Sequence, residues 1–596
     1  MKTTLLFPPS WHPSQPYLSL PALTGFLRRE GIDVTQRDIN IEFLEVLLNK
    51  DNHEHFLERI ANRLAKRSST GEKEDYSSLI SALEEIPVVA SKLDEAKAVL
   101  RGEGFYDSNQ YMESLGNIGK WLNLISHAYY PSELTLVGNN LTNYSVYSSK
   151  DVFEAINNEK ENIFLDIFRK HFLKSILADE PGLVGISVTS TSQIIPAFTM
   201  ARLIKEAKKD IHITIGGGVF TRLIDNIFKQ DALFSFIDSF VVYEGEHALL
   251  TLIRELEDKR DFTKVPNLVY RHNGRTALNE PLIVEDVDYL PTPDYDGFPL
   301  SLYFTPKLVL PVQTSRGCYY KKCAFCNLHV DQMVFRTRKV DTVVEDIQKL
   351  SKKYNTKYFF ITDEAMPLPT LKKFSTRITE DKIDIKWITG MRFENKLDAG
   401  LIEKASKAGC LKFVFGLESS NQRVLDMMKK GIQRETVDRI IKDCLEKEMA
   451  VHVYLITGFP TETRDEAIES VDYILNNEAL VNSLGFSCQP SLFELEKSSP
   501  IMDLPPSYGI TKIMEPKGHD LSLGYRYEVD KGMTPKEAEE TYNQIMDKTY
   551  EKVSPFPFTY SMSDGLLYIA RSKGDGISVQ GAEAEGQKET TISQET

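Results

Sequence analysis

The chain has 596 residues, a hydrophobic fraction of 41% and a formal net charge of -15 at pH 7. This composition suffices for large cores, and the acidic balance argues against nucleic acid as the main partner, because nucleic-acid binders cluster positive charge. No apolar run approaches the roughly 20 residues that span a bilayer, and the opening MKTTLLFPPS breaks at proline too early for a secretory signal. We therefore expect a cytoplasmic protein with neither membrane nor nucleic acid as its partner.

The N-terminal part predicts a doubly wound, Rossmann-like parallel sheet. Short buried strands are indicated by TTLLF and later by LVGIS, HITIG and FVVY, which assigns 1–45 and 176–262 to one domain. In such sheets the ligand faces the loops at the carboxyl ends of the strands. The candidate ligand contacts at these ends are Ser187, Thr189, Ser190, Gln193, Gly216, Gly217, Gly218, Tyr243, Glu244, Gly245 and Glu246.

The three consecutive glycines in this set have two interpretations. They allow a backbone to approach a flat, bulky ligand closely, or they form a tight turn. Their spacing does not match the GxGxxG pattern of a dinucleotide site. Two histidines near these strand ends, His12 and His247, fit exposed or helix-capping roles better than metal ligation.

One segment interrupts this domain, and a second joins it to the next. The stretch 46–175 carries polar helical segments such as HEHFLERIANRLAKR, and an insertion of that length forms its own helical cap or lines the substrate path. The stretch 263–305 includes EPLIVEDVDYLPTPDYDGFPLSLYF, which is rich in proline, aspartate and aromatic residues and has no regular period, so we predict an ordered linker.

From 306 to 500 the chain alternates apolar strands with amphipathic helices, as a parallel α/β barrel does. Six strands are indicated: LVLPVQ, KYFFITD, IKWITGM, LKFVFGL, AVHVYLITG and LGFSCQP. Six strands predict a partial barrel of the (β/α)6 type. The residues at the carboxyl ends of its strands should face the ligand, and these are Asp363, Glu364, Arg392, Glu418, Ser419 and Gly458.

Three cysteines, Cys318, Cys323 and Cys326, follow the first barrel strand within TSRGCYYKKCAFCNLHV. Three soft ligands without a fourth fit an iron-sulfur cluster that keeps one iron open for chemistry. A structural zinc site is the alternative, but it needs four ligands, and no further pair follows at the short spacing that zinc sites use. The other three cysteines, Cys410, Cys444 and Cys488, fit buried inert thiols, of which we consider only the last for a catalytic role.

The cysteine segment resembles the signature CxxxCxxC of the radical S-adenosylmethionine enzymes, although here four residues, YYKK, separate the first two cysteines. The resemblance implies a 4Fe-4S cluster on the three cysteines and S-adenosylmethionine at the open iron. It implies that Asp363 and Glu364 receive the amino group of the methionyl moiety and that Glu418 and Ser419, within GLES, contact the nucleoside. Arg392 and Gly458 are the remaining predicted S-adenosylmethionine contacts.

The first domain resembles the cobalamin-binding domain found in front of many radical enzymes of this family. No DxHxxG motif is present, so we expect cobalamin without a histidine from that motif. The resemblance implies reductive cleavage of S-adenosylmethionine to a 5'-deoxyadenosyl radical, hydrogen abstraction from an unactivated carbon of a small molecule or peptide, and methyl transfer from methylcobalamin. A low-potential electron donor such as flavodoxin or ferredoxin is implied as a partner.

Two other functions remain open. The same cofactors serve oxidation, cyclisation or ring rearrangement without methyl transfer in some relatives, and an inactive barrel would leave a cobalamin and S-adenosylmethionine sensor. Downstream, 501–571 predicts a small α-rich cap that closes the barrel and helps to choose the substrate, and 572–596 predicts a disordered tail because it is polar and has no apolar period.

Overall fold

The computed structural model describes residues 1–70, 76–284, 286–328, 330, 334–553 and 561–575. The predicted disordered tail lies outside the described residues from 576 onward. Within the described ranges, no helix combines the length and apolar character needed to cross a membrane.

Seven strands form the first sheet. They are β1 Thr3–Phe7, β2 Val34–Asp38, β5 Leu183–Ser187, β6 His212–Gly216, β7 Ser239–Val241, β8 Leu268–His272 and β9 Arg275–Leu278. Their order is β2-β1-β5-β6-β7-β8-β9, and the strands from β2 to β7 run parallel. β1 and β5 are buried along their whole length, which explains their continuous apolar sequences.

The hairpin of β8 and β9 lies within the stretch that we predicted as linker. The two strands pair antiparallel through His272 and Arg275, across a two-residue turn of Asn273 and Gly274. Both turn residues have positive φ, at 51° and 78°. Asn-Gly between two strands is a strong hairpin signal, and the sheet therefore extends further along the chain than the apolar runs alone indicated.

Helices cover the first sheet and form the insertion. The sheet is flanked by α1 Ser19–Arg29, α10 Ile194–Ala207, α11 Gly218–Arg222, α12 Ile224–Ile227 and α13 Glu246–Glu257. The insertion comprises α2 Ile39–Leu47, α3 His53–Thr70, α4 Tyr76–Ala90, α5 Leu93–Leu100, α6 Ser108–Ser126, the short hairpin β3 Glu133–Leu134 and β4 Asn139–Asn140, α7 Ser149–Ala155, α8 Ile163–Ile167 and α9 Leu173–Ala178. Trp121 is fully buried there and donates from its indole nitrogen to the carbonyl of Leu47 at 2.8 Å, and the apolar core of the insertion is continuous with that of the first sheet.

Six parallel strands form the second sheet, and the predicted partial barrel is confirmed. The strands are β10 Val309–Val312, β13 Tyr358–Ile361, β14 Lys386–Met391, β15 Cys410–Glu418, β16 Ala450–Thr457 and β17 Ser487–Leu492, paired in that order. The helices around them are α14 Val340–Tyr354, α15 Leu368–Glu380, α16 Ala399–Lys407, α17 Gln422–Met427, α18 Arg434–Glu446, α19 Arg464–Leu475 and α20 Glu478–Val481. A two-residue pair, β11 Ser315–Arg316 and β12 Arg336–Thr337, flanks the cysteine loop.

The connection between the two sheets is tied to both of them by tyrosines. Tyr303 is fully buried and donates to the carboxylate of Asp38 at the end of β2, at 2.5 Å. Tyr295 donates to the carbonyl of Pro311 within β10, at 2.6 Å. These two bonds hold the carboxyl edge of the first sheet beside the first barrel strand.

The C-terminal part contains a small sheet as well as the predicted helices. β18 Leu495–Glu496, β19 Ile510–Met514 and β20 Gly524–Val529 form an antiparallel sheet in the order β18-β20-β19, and α21 Pro535–Lys552 and α22 Met562–Ser572 follow. The side chain of Ile569 in α22 lies so close to Gly485 that a Cβ there would be 2.4 Å from it. Because Gly485 lies two residues before β17, α22 covers the amino ends of the barrel strands.

Candidate functional site

A cavity of about 480 Å³ lies between the carboxyl edge of the first sheet and the first two barrel strands. This volume is within the range of ordinary ligand sites. From the first domain, the predicted residues on its wall are Ser187, Gly216, Gly217, Tyr243, Glu244, Gly245 and Glu246. The barrel contributes Pro311, Gln313, Arg316, Phe360, Thr362 and Glu364.

Four of the predicted cobalamin contacts do not line this cavity: Thr189, Ser190, Gln193 and Gly218. The fully buried Gln193 accepts hydrogen bonds from the backbone of Thr189 and Ser190 and donates to the carbonyl of Pro8 at 2.9 Å. These side chains therefore fasten the loop after β5 to the end of β1. Their contact with cobalamin stays a prediction.

The glycines after β6 are required by the backbone around them. Gly217 has a φ of +113°, and a Cβ at this position would lie 2.0 Å from the carbonyl oxygen of Val188. A Cβ on Gly216 would lie 3.0 Å from the carbonyl oxygen of Val241. Close packing of neighbouring strand ends thus leaves a bare backbone on the cavity wall, which suits a flat ligand.

The rest of the first-domain wall is apolar and aromatic. Trp11 and Tyr17 meet edge to face with ring centroids 5.0 Å apart, and both line the cavity together with Leu18 and Leu23. Bare backbone, hydroxyl groups and apolar side chains form a donor set that fits the face and the amide-bearing rim of a corrin. His12 and His247 are not among the lining residues: the first contacts Ser14 at 2.9 Å, and the ring of the second packs against Phe26.

Four charged side chains join the two domains beside the cavity. Arg316 pairs with Glu246 and, at 3.2 Å, with Glu244, and Arg336 donates to Glu244 at 3.1 Å. Burial raises the pKa of Glu246, but the charge and hydrogen bond of Arg316 outweigh that effect, so the net pKa shift is downward. Two predicted cobalamin contacts, Glu244 and Glu246, are therefore committed to arginines of the barrel, which sequence reasoning did not single out.

The cysteine loop starts from a buried carboxylate. Asp363 accepts hydrogen bonds from the backbone nitrogens of Thr314 and Ser315, at 2.7 and 3.1 Å, and from both hydroxyls. Burial raises the pKa of Asp363. The carboxylate thus anchors the segment that leads to Cys318, and Glu364 is the neighbour that reaches the cavity. A contact of Asp363 with S-adenosylmethionine stays a prediction.

The three cysteines of the loop are free thiols of intermediate burial. Burial raises the pKa of Cys326 to about 11 and also raises that of Cys323. Among the described residues, no three His, Cys, Asp or Glu side chains converge as ligands of a single metal ion. The thiolates of an iron-sulfur cube bind different irons, so the donor set fits a cluster, whose positive charge stabilises the thiolates.

Two cations lie beside Cys323. Arg392 is buried, lies 4.0 Å from the Cys323 sulfur and donates to the carbonyl of Lys430 at 2.6 Å. The ammonium of Lys430 is also buried and donates to Glu418 at 2.7 Å. Burial lowers the pKa of Lys430, but the charge of Glu418 outweighs that effect and raises it. Sequence reasoning missed Lys430, because it lies in a loop after α17 and gains its role only through the fold.

The other predicted S-adenosylmethionine contacts have local roles. Glu418 has a φ of +70°, at an irregularity in the pairing of β15 with β16. Ser419 is buried and shares a hydrogen bond of 2.8 Å with Ser470. The backbone nitrogen of Gly458 donates to Glu462 at 2.6 Å. The structure brings Glu418 and Arg392 to the cysteine loop, and ligand contacts from Ser419 and Gly458 stay predictions.

Cys488 lies on the face of β17 opposite to that of Ser487. His452 on β16 shares a hydrogen bond of 2.7 Å with Ser487, and the two residues are aligned in neighbouring strands. Cys488 is aligned with Val453 on the opposite face, because side chains alternate along a strand. The structure gives this thiol no place beside the cysteine loop.

Comparison with known proteins agrees with this geometry. Residues 312–474 match the family model of the Radical SAM superfamily. An uncharacterized methyltransferase of Pyrococcus horikoshii is 28% identical over 315 residues, which are 52% of this chain and 67% of that protein. An anaerobic magnesium-protoporphyrin IX monomethyl ester cyclase of Rubrivivax gelatinosus is 25% identical over 370 residues, which are 60% of this chain and 66% of that protein. The matches thus span about two thirds of these relatives.

Two solved structures share the fold. The radical S-adenosylmethionine methyltransferase TsrM from Kitasatospora setae, solved with cobalamin and a [4Fe-4S] cluster, superposes with a TM-score of 0.53 at 15% identity, covering 91% of this chain and 85% of TsrM. The cobalamin-dependent S-adenosylmethionine radical enzyme OxsB, solved with aqua-cobalamin, gives a TM-score of 0.51 at 18% identity, covering 67% of this chain and 60% of OxsB.

The fold and the site together define an α/β enzyme in which a cavity lies between a doubly wound sheet and a partial barrel, and in which three cysteines follow the first barrel strand. Residues 312–474 form a radical S-adenosylmethionine domain, as the cysteine segment predicted. The chain shares its fold with TsrM and OxsB, so the predicted fold class is confirmed as well.

Proposed function

We propose that this chain is a cobalamin-dependent radical S-adenosylmethionine methyltransferase that methylates an unactivated carbon of a small molecule or peptide. One observation carries the proposal: a single cavity is walled on one side by the glycine-rich edge of the first sheet and on the other by the barrel strands that lead to the three cysteines. A substrate in this space would face both cofactors at once. The names of TsrM and of the Pyrococcus horikoshii relative support methyl transfer as the outcome.

The cysteine loop and the residues of the cavity wall would have separate roles in the reaction. Cys318, Cys323 and Cys326 would hold the cluster, and Glu364, on the wall beside it, is the carboxylate suited to an ammonium group of S-adenosylmethionine. When bound, the cluster and S-adenosylmethionine supply a 5'-deoxyadenosyl radical, and methylcobalamin supplies the methyl group. The aromatic and apolar wall around Trp11 and Phe360 would exclude water from a reactive substrate.

A second outcome is radical oxidation, cyclisation or ring rearrangement with the same cofactors. The relatives named as a magnesium-protoporphyrin cyclase and as 4'-phospho-dehydrooxetanocin synthase favour it. In both outcomes the protein would need one-electron reduction by a low-potential donor. A sensor without activity would form no 5'-deoxyadenosine.

The test is anaerobic isolation with iron, sulfide and cobalamin, followed by metal analysis, an absorption spectrum and incubation with methyl-deuterated S-adenosylmethionine, dithionite and cell extract. We expect iron, corrin bands, 5'-deoxyadenosine and a product that carries the deuterated methyl group. Loss of two hydrogens without added carbon would replace methyl transfer with oxidation. Stoichiometric zinc with negligible iron would overturn the proposal at its base.

A further inference from the structure

The four-residue spacer in the cysteine loop carries exposed positive charge beside the cluster ligands. Lys321 and Lys322 lie between Cys318 and Cys323, and both lysines are exposed. Lys429, which directly precedes the buried Lys430, is exposed as well. The chain as a whole has a net charge of -15, so three exposed lysines beside one site stand out from its average surface.

One aromatic side chain holds these lysines together. The hydroxyl of Tyr320 donates to the carbonyl of Lys429 at 2.8 Å, and the ammonium of Lys322 lies 6.0 Å from the centre of the Tyr320 ring. A Cβ on Gly431 would lie 2.2 Å from that hydroxyl, so the absence of a side chain at 431 makes room for the tyrosine. The spacer is therefore packed onto the loop after α17 and presents its lysines from a fixed position.

The same tyrosine connects this surface to the cluster ligands. The guanidinium of Arg392 lies 3.5 Å from the centre of the Tyr320 ring, and its Nη1 is 4.0 Å from the sulfur of Cys323. The nearby buried charges are compensated, because Glu394 lies 3.8 Å from Arg392 and Glu418 pairs with Lys430. The exposed lysines thus add positive charge to the protein surface next to these cluster ligands.

We infer that Lys321, Lys322 and Lys429 form the docking surface for an acidic, low-potential one-electron carrier protein. This inference rests on the proposed function, which requires one external electron for each reductive cleavage of S-adenosylmethionine. In the step served by this surface the carrier is oxidised by one electron and the cluster is reduced by one, with no proton or group transferred. Opposite charges on the two proteins speed encounter and fix the orientation in which the cluster faces the carrier.

The test compares binding and reduction of the cluster-loaded enzyme with a bacterial flavodoxin as the probe. Lys321→Glu/Lys322→Glu and Lys429→Glu are measured against Lys349→Glu/Lys442→Glu, a control that exchanges two lysines, 63% and 76% exposed, on outer helices of the same barrel. We expect the Kd for flavodoxin to rise about tenfold or more in the loop variants, with a weaker dependence on salt, and to stay within about twofold in the control. Reduction of the cluster by dithionite should stay unchanged in all of them.

Equal flavodoxin Kd values in the loop variants and the wild type would overturn the inference, as would an equal rise in the control. If the double variant binds no cluster, Lys429→Glu, which lies outside the cysteine segment, decides alone. Failure of the proposed function looks different, because dithionite would then produce no 5'-deoxyadenosine in the wild-type enzyme.

Discussion

The two walls of the cavity are built on different principles. Behind the barrel wall, buried polar and charged side chains support the cysteine loop, where Asp363 is satisfied by four hydrogen bonds and Glu418 by an ammonium partner. The wall of the first sheet instead exposes bare backbone at Gly216 and Gly217, and its carboxylates are paired with barrel arginines. A metal cluster needs donors at fixed points, whereas a flat ligand needs a surface free of side chains.

Removing the three cysteine ligands should have the largest effect, because it should abolish cluster binding and leave cobalamin binding intact. In Cys318→Ala/Cys323→Ala/Cys326→Ala we expect iron to fall from about four per chain to nearly none, because each thiolate binds its own iron. Corrin bands should remain, because the opposite wall is untouched. Iron analysis and absorption spectra of anaerobically loaded protein measure both.

Cys488→Ala serves as the matched control, since that thiol lies on β17, outside the cysteine segment. It should retain its iron. If the triple variant lost corrin and cluster together, the two walls would have to be one cooperative site.

Asp363→Ala should weaken the cluster without removing a ligand. The change leaves the backbone nitrogens of Thr314 and Ser315 without their acceptor, at a cost of about 2–4 kcal/mol in the free energy of unfolding. The segment that leads to Cys318 then loses its anchor, so we expect iron content to fall by half or more. Denaturation of the metal-free protein and iron analysis measure the two effects separately.

Asp341→Ala, an exposed aspartate at the start of α14, controls for the loss of one carboxylate. It should change neither quantity. A variant at 363 that bound iron fully would show that the cysteine loop holds its shape unaided.

Much of the barrel was predictable from the sequence, because each signal was local. Five of the six strands are largely apolar runs, and the three cysteines occupy one short segment, so these features were predicted where they occur. The role of Asp363 was not, because a carboxylate after a strand faces a ligand or a neighbouring loop with the same sequence.

The first-sheet wall was less predictable, because its contacts are distant in sequence. Glu246 pairs with Arg316, which is 70 residues away, and the local sequence around neither residue indicates the other as its partner. Gln193 was predicted as a ligand contact because it follows a strand, and only the fold shows that its amide is consumed by the neighbouring loop. The position of Lys430 beside Cys323 could be recognised only from the fold, because the loop after α17 brings these two residues together.

The charged contact between the walls can be measured with a double-mutant cycle. Arg316→Ala leaves Glu246 buried without its partner, which should cost about 3 kcal/mol in unfolding free energy, and Arg316→Ala/Glu246→Ala should recover part of that loss. We expect cobalamin retention to fall in the single variant, because both residues line the cavity. Additive losses in the cycle would mean that the pair does not couple the domains.

A buried carboxyl group of the barrel should make the stability of the protein depend on pH. Glu462 is fully buried beneath Gly458, one of its carboxylate oxygens has no hydrogen-bond partner, and burial raises its pKa to about 8. Between pH 5 and pH 8 the folded protein therefore holds a proton that the unfolded chain releases, so stability falls as pH rises.

Glu462→Gln should flatten this decline by about 3 kcal/mol over that window, read from thermal unfolding midpoints at pH 5, 6, 7 and 8. Asp564, also buried with a pKa raised to about 8, should preserve part of the slope. Glu466→Gln is the matched control, because the hydrogen bond from Arg423 lowers the pKa of Glu466 to about 2, below the window. Equal slopes in the wild type and Glu462→Gln would show that this carboxylate is ionised and that Arg423 or water compensates it.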